Sequence, residues 1–296
     1  MVRVFPRRTH ATPVDQGAPA DQRTFVGEPP VWVEHFDEVH VSCTFTWDRP
    51  RAEVLAKQWA RYADTVKVGG PAYGDAGGEF TPGRYLKHGM TITSRGCIRA
   101  CDFCLVPKRE GRLRLLEIKP GWNVLDNNLL ACPREHIEAV LSMLEEQPRA
   151  ARFTGGIDAR LVRPWFAKRL AGMRVGVLYT AYDHKDEAVE THRTIGILRD
   201  AGLGQHVVGC YVLVGYDGDT PVEAEKRLRW VFDIGGMPFA MYYRPPNEGR
   251  KRIPDGWRQL VRSWSRPAAI FATAKEDDGP KAAAKGSRLT GLWPVP

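Results

Sequence analysis

From residue 89 onward the sequence alternates short apolar runs with longer amphipathic ones, and this alternation restricts the fold more than any other feature. Strand candidates are Met90 to Ser94, Asn123 to Asp126, Ala151 to Thr154, Val175 to Tyr179, Val207 to Val214 and Phe239 to Tyr243. The helix-like stretches between them begin near Pro133, Pro164, Asp186 and Pro221, each opened by a proline or an acidic residue suited to a first helical turn. Strand–helix units joined by right-handed crossovers imply an α/β fold with a parallel sheet, curved into a partial barrel. Chemistry in such folds gathers at the C-terminal ends of the strands, so the residues just after each strand are the ones that matter.

The remaining chain divides into three parts. Residues 1–30 hold Pro, Ala, Gly and Gln without a clear period and read as a flexible leader. Residues 31–88 contain an alternating run from Val39 to Phe45, a helix-like segment from Arg51 to Tyr62 and a short strand from Thr65 to Gly70. That is a single small Rossmann-like β-α-β unit, followed by a Gly-rich connector over residues 71–88. Residues 89–250 hold the barrel, and residues 251–296 a basic helix and a mobile tail.

At 296 residues, 43% hydrophobic and 26% charged, the chain can bury one large core, or one large and one small, and is not a disordered polymer. No apolar run approaches the length of a membrane span. The N-terminus has a basic start without an apolar stretch behind it, so it does not read as a secretory leader, and the expected compartment is the cytoplasm. Net charge is +8. Part of the excess lies in Arg244, Arg250, Lys251, Arg252, Arg258, Arg262 and Arg266, with Trp257 and Trp264 interleaved. Basic residues among aromatic ones can suit a nucleic-acid face, but the segment reads first as a solvated amphipathic helix whose tryptophans cap the core. Lys108, Arg109, Arg112 and Arg114 form a second basic cluster, placed to hold an anionic substrate or to shield the segment before it.

That preceding segment contains Cys97, Cys101 and Cys104 in the spacing Cys-x3-Cys-x2-Cys, with Phe103 before the last cysteine. Gly96 before the triplet, Pro107 after it and Arg99 and Asp102 within it suit a solvated loop better than a buried helix face. Three thiolates can hold three corners of a four-iron cluster and leave the fourth iron open to a chelating small molecule. A zinc site is the competing reading; it needs a fourth ligand, and the nearest histidines, His88 and His136, make no recognised pairing with the triplet. A chain of this size with six cysteines does not need a disulfide framework. Cys43, Cys132 and Cys210 read as packed thiols.

The triplet resembles the signature of the radical S-adenosylmethionine (SAM) superfamily. The resemblance implies a [4Fe-4S] cluster on Cys97, Cys101 and Cys104, with the amino and carboxylate groups of SAM on the open iron. It also implies a partial (β/α)6 TIM-like barrel, a flavodoxin- or ferredoxin-like electron donor, and reductive cleavage of SAM to a 5′-deoxyadenosyl radical that abstracts hydrogen from a substrate. Residues 31–88 look like the last part of the cobalamin-binding domain that precedes some members, as in uncharacterised phage and environmental proteins. No Asp-x-His-x-x-Gly motif is present, which argues against cobalamin.

The same resemblance assigns SAM contacts at the other strand ends. Asp126 and Asn127 follow the second strand and can accept from the amino group or ribose; Gly155, Gly156, Asp158 and Arg160 follow the third, where the glycines admit a ligand and the charged pair suits the methionyl amino and carboxylate groups. Asp183, after the fourth, suits a ribose or amino contact, while Gly215 and Tyr243, after the fifth and sixth, suit adenine, with Phe103 beside the cluster. The substrate is either a nucleic acid or nucleotide, from the basic segment, or a small metabolite or peptide in a closed, mostly apolar barrel. A zinc-binding, non-enzymatic nucleic-acid adaptor is the alternative from a different class.

Overall fold

Two parallel sheets organise the chain in a computed structural model that describes residues 1–15, 23–75, 77–246, 248 and 251–276. The first sheet contains β1 (Val2–Phe5), β2 (Thr24–Val26), β3 (Phe36–Ser42) and β4 (Ala63–Gly69), in the order β2-β1-β3-β4, every pair parallel. Helix α1 (Arg49–Trp59) crosses from β3 to β4 and buries Ala52, Leu55 and Trp59 against Val2, Val4, Val39 and Val41. Those three residues fall on one helical face, which is why the segment is a helix with a single buried side.

This sheet corrects two expectations. Residues 1–30 are not a flexible leader throughout, and the first unit is more than one β-α-β. Val2 and Val4 are fully buried, and β1 lies between β2 and β3. The physical reason is pairing: Val2 and Val4 stand opposite Val39 and Val41, so two Val-x-Val runs close on one another. Arg3 points to the opposite face and is buried there, its guanidinium donating to the carbonyls of Gly83 and Arg84 and to Asp15.

The second sheet contains β5 (Met90–Thr91), then, after a short ribbon of β6 (Ser94–Arg95) and β7 (Arg114–Leu115), β8 (Asn123–Val124), β9 (Ala151–Phe153), β10 (Val175–Tyr182), β11 (Val208–Val214) and β12 (Met237–Tyr242). The order β5-β8-β9-β10-β11-β12 is the chain order, and every pair is parallel, as the strand–helix alternation implies. Between them lie α2 (Val106–Arg109), α3 (Arg134–Glu145), α4 (Pro164–Ala171), α5 (Ala188–Asp200) and α6 (Pro221–Asp233), followed by α7 (Asp255–Ser263) and α8 (Pro267–Glu276).

Alternation along the strands fixes which face is covered. Leu178, Tyr182, Cys210, Val212, Val214 and Ala240 join one core with the apolar faces of α3 to α6. The intervening Tyr179, Tyr211, Leu213, Phe239 and Met241 are half-buried or exposed. The sheet therefore has one helix-covered face and one open face. The first strand is shorter than expected: the chain leaves it after Thr91, and Ser94 and Arg95 pair antiparallel with Leu115 and Arg114 instead. The fourth is longer and runs to Tyr182.

The basic C-terminal segment behaves as the amphipathic helix. Leu260 is buried, Trp264 is fully buried, and Trp257 packs against Tyr242 with ring centroids 5.7 Å apart. Its tryptophans face the core and are not free to stack bases. Arg250 and the tail beyond residue 276 lie outside the described residues. Among the described residues no helix is long and apolar enough to cross a membrane.

Candidate cofactor site

The β6–β7 ribbon closes residues 96–113 into a loop at the C-terminal end of β5. Gly96 makes this closure possible: it has φ +82°, and a Cβ there would lie 2.2 Å from the carbonyl oxygen of Arg112. Cys97, Cys101 and Cys104 are all free thiols at intermediate burial. The Cys104 amide donates to the Cys101 carbonyl at 3.0 Å, folding the last two into one turn. Burial pushes the Cys101 and Cys104 thiols up, and charge on Cys104 adds to the first and charge on Cys97 to the second. A bound cation reverses this effect, because it favours the thiolate form of every sulfur it touches.

The three sulfurs are not drawn into one tight group. Among the described residues, the ligand atoms that lie within 4.8 Å of one another belong to Asp126, Cys132 and His136. A single tetrahedral zinc with Zn–S near 2.3 Å requires sulfurs roughly 3.8 Å apart, whereas a multi-iron cluster takes one thiolate at each separated corner. The cysteine loop as it stands does not form the tight group that a single zinc takes. The Asp126 trio is occupied by hydrogen bonding: Asp126 accepts from the Thr93 amide at 2.7 Å, the Thr93 hydroxyl at 2.7 Å and the Ser94 hydroxyl at 2.6 Å, and His136 Nε2 lies 3.3 Å from the Thr93 hydroxyl. Burial pushes the thiols of Cys43 and Cys132 up to about 11 and that of Cys210 well above its ordinary value, as expected of packed cysteines.

Asp126 and Asn127 have a different role from the one expected. Asp126 is 1% exposed and clamps Thr93 and Ser94, while Asn127 Oδ1 accepts from the Gly96 amide at 2.9 Å. Asn128 continues the series with Nδ2 3.5 Å from Cys97 Sγ. Three consecutive polar residues after β8 thus hold three successive points of the cysteine loop's entering arm. The Asp126 carboxylate and Asn127 Oδ1 thus hold the loop itself, a role the sequence did not announce.

Asp158 is a second anchor. Its Oδ2 accepts from Arg99 Nε at 2.8 Å and from Asn128 Nδ2 at 3.4 Å, and its Oδ1 accepts from the Arg160 amide and Nε. Its side chain is 5% exposed. Burial pushes its carboxyl up, but the Arg160 and Arg99 hydrogen bonds outweigh this and leave it below the usual range. Arg160 keeps one guanidinium end toward Glu187, 3.6 Å away.

The glycines separate. A Cβ on Gly155 would meet the Asp126 carbonyl oxygen at 2.4 Å, so the close approach of the chain leaving β8 already requires a glycine here. Gly156, with φ +94°, faces open space save the Tyr179 carbonyl oxygen at 3.9 Å. The Gly215 amide already donates to Asp219 at 3.0 Å, and a Cβ there would strike the Tyr242 ring at 2.6 Å.

Asp183 directly follows β10, with its carboxyl raised to about 7, first by burial and then by the charge of Glu187, against the pull of Arg160. Beside it runs an aromatic rim: Phe103 lies 5.5 Å from His184 and 5.7 Å from Tyr216, and Tyr216 lies 4.7 Å from Tyr243. Phe103 and Tyr243 are therefore linked through Tyr216, which sequence reasoning did not single out although it follows directly on Gly215. Arg244 stacks over Trp47, 5.8 Å from its ring, so the loop after β3 reaches the same end of the second sheet. In the basic cluster, Arg109 pairs with Glu110, and Arg114 donates to the carbonyls of Glu110 and Gly77; Lys108 and Arg112 remain exposed.

No protein-family model matches the chain, and no curated protein matches it.

Proposed function

We propose that this chain is a radical SAM enzyme with a partial-barrel core. The observation that carries the reading is the triplet's setting: three free, half-buried cysteines in a loop closed by a ribbon, at the C-terminal end of the first strand of a parallel sheet laid out in chain order. Cys97, Cys101 and Cys104 would hold a four-iron cluster, which when bound would supply an open iron and one electron for cleavage of the SAM sulfonium.

The chain's own residues do the rest. Asp183, raised to about 7, becomes a charge partner for a cationic amine once it gives up its proton, and Arg160 offers the carboxylate its outer guanidinium end. Phe103, Tyr216 and Tyr243 form an apolar wall for adenine. Trp47 and Arg244 shield the mouth from water. The substrate lies along the open sheet face, where Tyr179 and Tyr211 stack at 4.2 Å with Phe239 edge-on to both. The electron comes from a flavodoxin- or ferredoxin-like protein of the cytoplasm. A zinc-binding nucleic-acid adaptor draws less support, because the tryptophans it would use are turned inward.

Anaerobic reconstitution with iron and sulfide tests the reading. The expected product is a brown protein with about four iron and four sulfide per chain, whose reduced electron paramagnetic resonance (EPR) spectrum changes when SAM is added. A colourless protein with one zinc and no sulfide would establish the adaptor instead.

A further inference from the structure

Among the described residues, a buried side-chain amide donates to the sulfur of Cys97 and to neither of the other two candidate ligands. Asn128 is 3% exposed, and its Nδ2 lies 3.5 Å from Cys97 Sγ and 3.4 Å from Asp158 Oδ2. The Arg99 backbone amide donates to the same sulfur at 3.4 Å. Arg99 is held in turn by the same carboxylate, through Nε at 2.8 Å to Asp158 Oδ2. One buried aspartate therefore orients the Asn128 donor and also holds the side chain of the residue whose backbone amide is the second donor.

The orientation of the Asn128 amide is costly to the fold. Its Oδ1 is buried with no hydrogen-bond partner in the structure. Turning the amide over would set that oxygen against the Asp158 carboxylate, oxygen facing oxygen, so the carboxylate decides which end points at the sulfur. A neutral thiol is a weak acceptor and gives little in return. An iron-bound thiolate is negative, and the same contact becomes a charge-assisted hydrogen bond. The arrangement is thus built for a sulfur that carries charge.

We propose that Asn128, held by Asp158, is a positioning residue that sets the reduction potential of the cluster by donating to the Cys97 thiolate. This rests on the functional reading above. Reduction adds negative charge to the cluster, and an N–H aimed at a ligating sulfur stabilises the reduced form more than the oxidised one. The donor therefore raises the potential, and its loss makes the cluster harder to reduce.

The test is a redox titration, followed by EPR, of the full-length reconstituted protein and its Asn128→Ala and Asn127→Ala variants. Asn127 is the control, because it anchors the same loop through the Gly96 amide without touching sulfur. The expected result is equal iron and sulfide in all three, with Asn128→Ala alone shifted to lower potential by about tenfold in the reduction equilibrium, or about 59 mV for one electron. Equal potentials in the parent and Asn128→Ala, or equal shifts in both variants, would overturn the proposal while leaving the cluster reading intact. A parent that assembles no cluster overturns both. Should Asn128→Ala fail to fold, pulsed EPR of the reduced parent carrying side-chain 15N-asparagine decides: a nitrogen coupling to the cluster spin supports the donor, and its absence removes it.

Discussion

The two parallel sheets finish their C-terminal strand ends in opposite ways. General rules place a ligand at the ends of either one: the first sheet's order, β2-β1-β3-β4, has a switch point between β1 and β3. There, however, the ends are filled by the protein. Arg7 pairs with Asp48, which is 4% exposed, and Cys43 is fully buried. What remains is a cleft of about 20 Å³, room for one water. At the ends of the second sheet, three thiols, a guanidinium and a carboxylate titrating near neutrality stay half-buried around an aromatic rim. Topology permits two sites, and side-chain chemistry selects one.

The comparison breaks most directly at the cysteines. Replacing Cys97, Cys101 or Cys104 singly by Ala is expected to reduce bound iron and sulfide to background after reconstitution. Cys43→Ser, in the first sheet, is expected to keep the full iron content at some cost in stability. Iron retained by all three triplet variants would remove the distinction between the sheets.

Next in size is Asp48→Ala, which strands Arg7 beside the first sheet. The pair is only partly shielded, with the Arg7 side chain 32% exposed, so the loss expected is about 1–3 kcal/mol in chemical denaturation. Cluster content should not change; a parallel loss of iron would mean that the two regions are one cooperative site. Gly96→Ala acts at the other sheet. Its positive φ and its contact with Arg112 predict a loss of about 2 kcal/mol, together with weakened cluster retention, because the loop's two arms can no longer close.

The smallest effect is pH-dependent. Asp183 titrates at about 7 in the folded chain against an ordinary 3.8, so the folded form holds the proton more tightly between these values. Its contribution is fully present below about pH 4 and is lost as the pH rises through 7. Asp183→Asn should therefore be more stable than the parent at pH 8, with the advantage gone at pH 4. An equal difference at both values would show that Asp183 does not titrate as described.

Much of this was legible in the sequence, and the failures have physical reasons. The strand–helix alternation announces the second sheet because each element carries its own period. The leader reading failed because β1 is four residues long and takes its meaning from Val39 and Val41, a pairing that no local window contains. Asp126, Asn127 and Gly155 were placed correctly at strand ends, but their partners, Thr93, Ser94, Gly96 and the backbone of β8, are supplied only by the fold. A polar residue at a strand end looks the same in sequence whether it holds a ligand or the loop that holds a ligand.

The central claim is that the second sheet's strand ends carry a cluster that acts on SAM. The most direct test is anaerobic incubation of the reconstituted protein with SAM and dithionite, quantifying 5′-deoxyadenosine beside Cys101→Ala. The account predicts deoxyadenosine from the parent and none from the variant. A parent with full iron and sulfide that releases none, and whose EPR spectrum is unmoved by SAM, would contradict it.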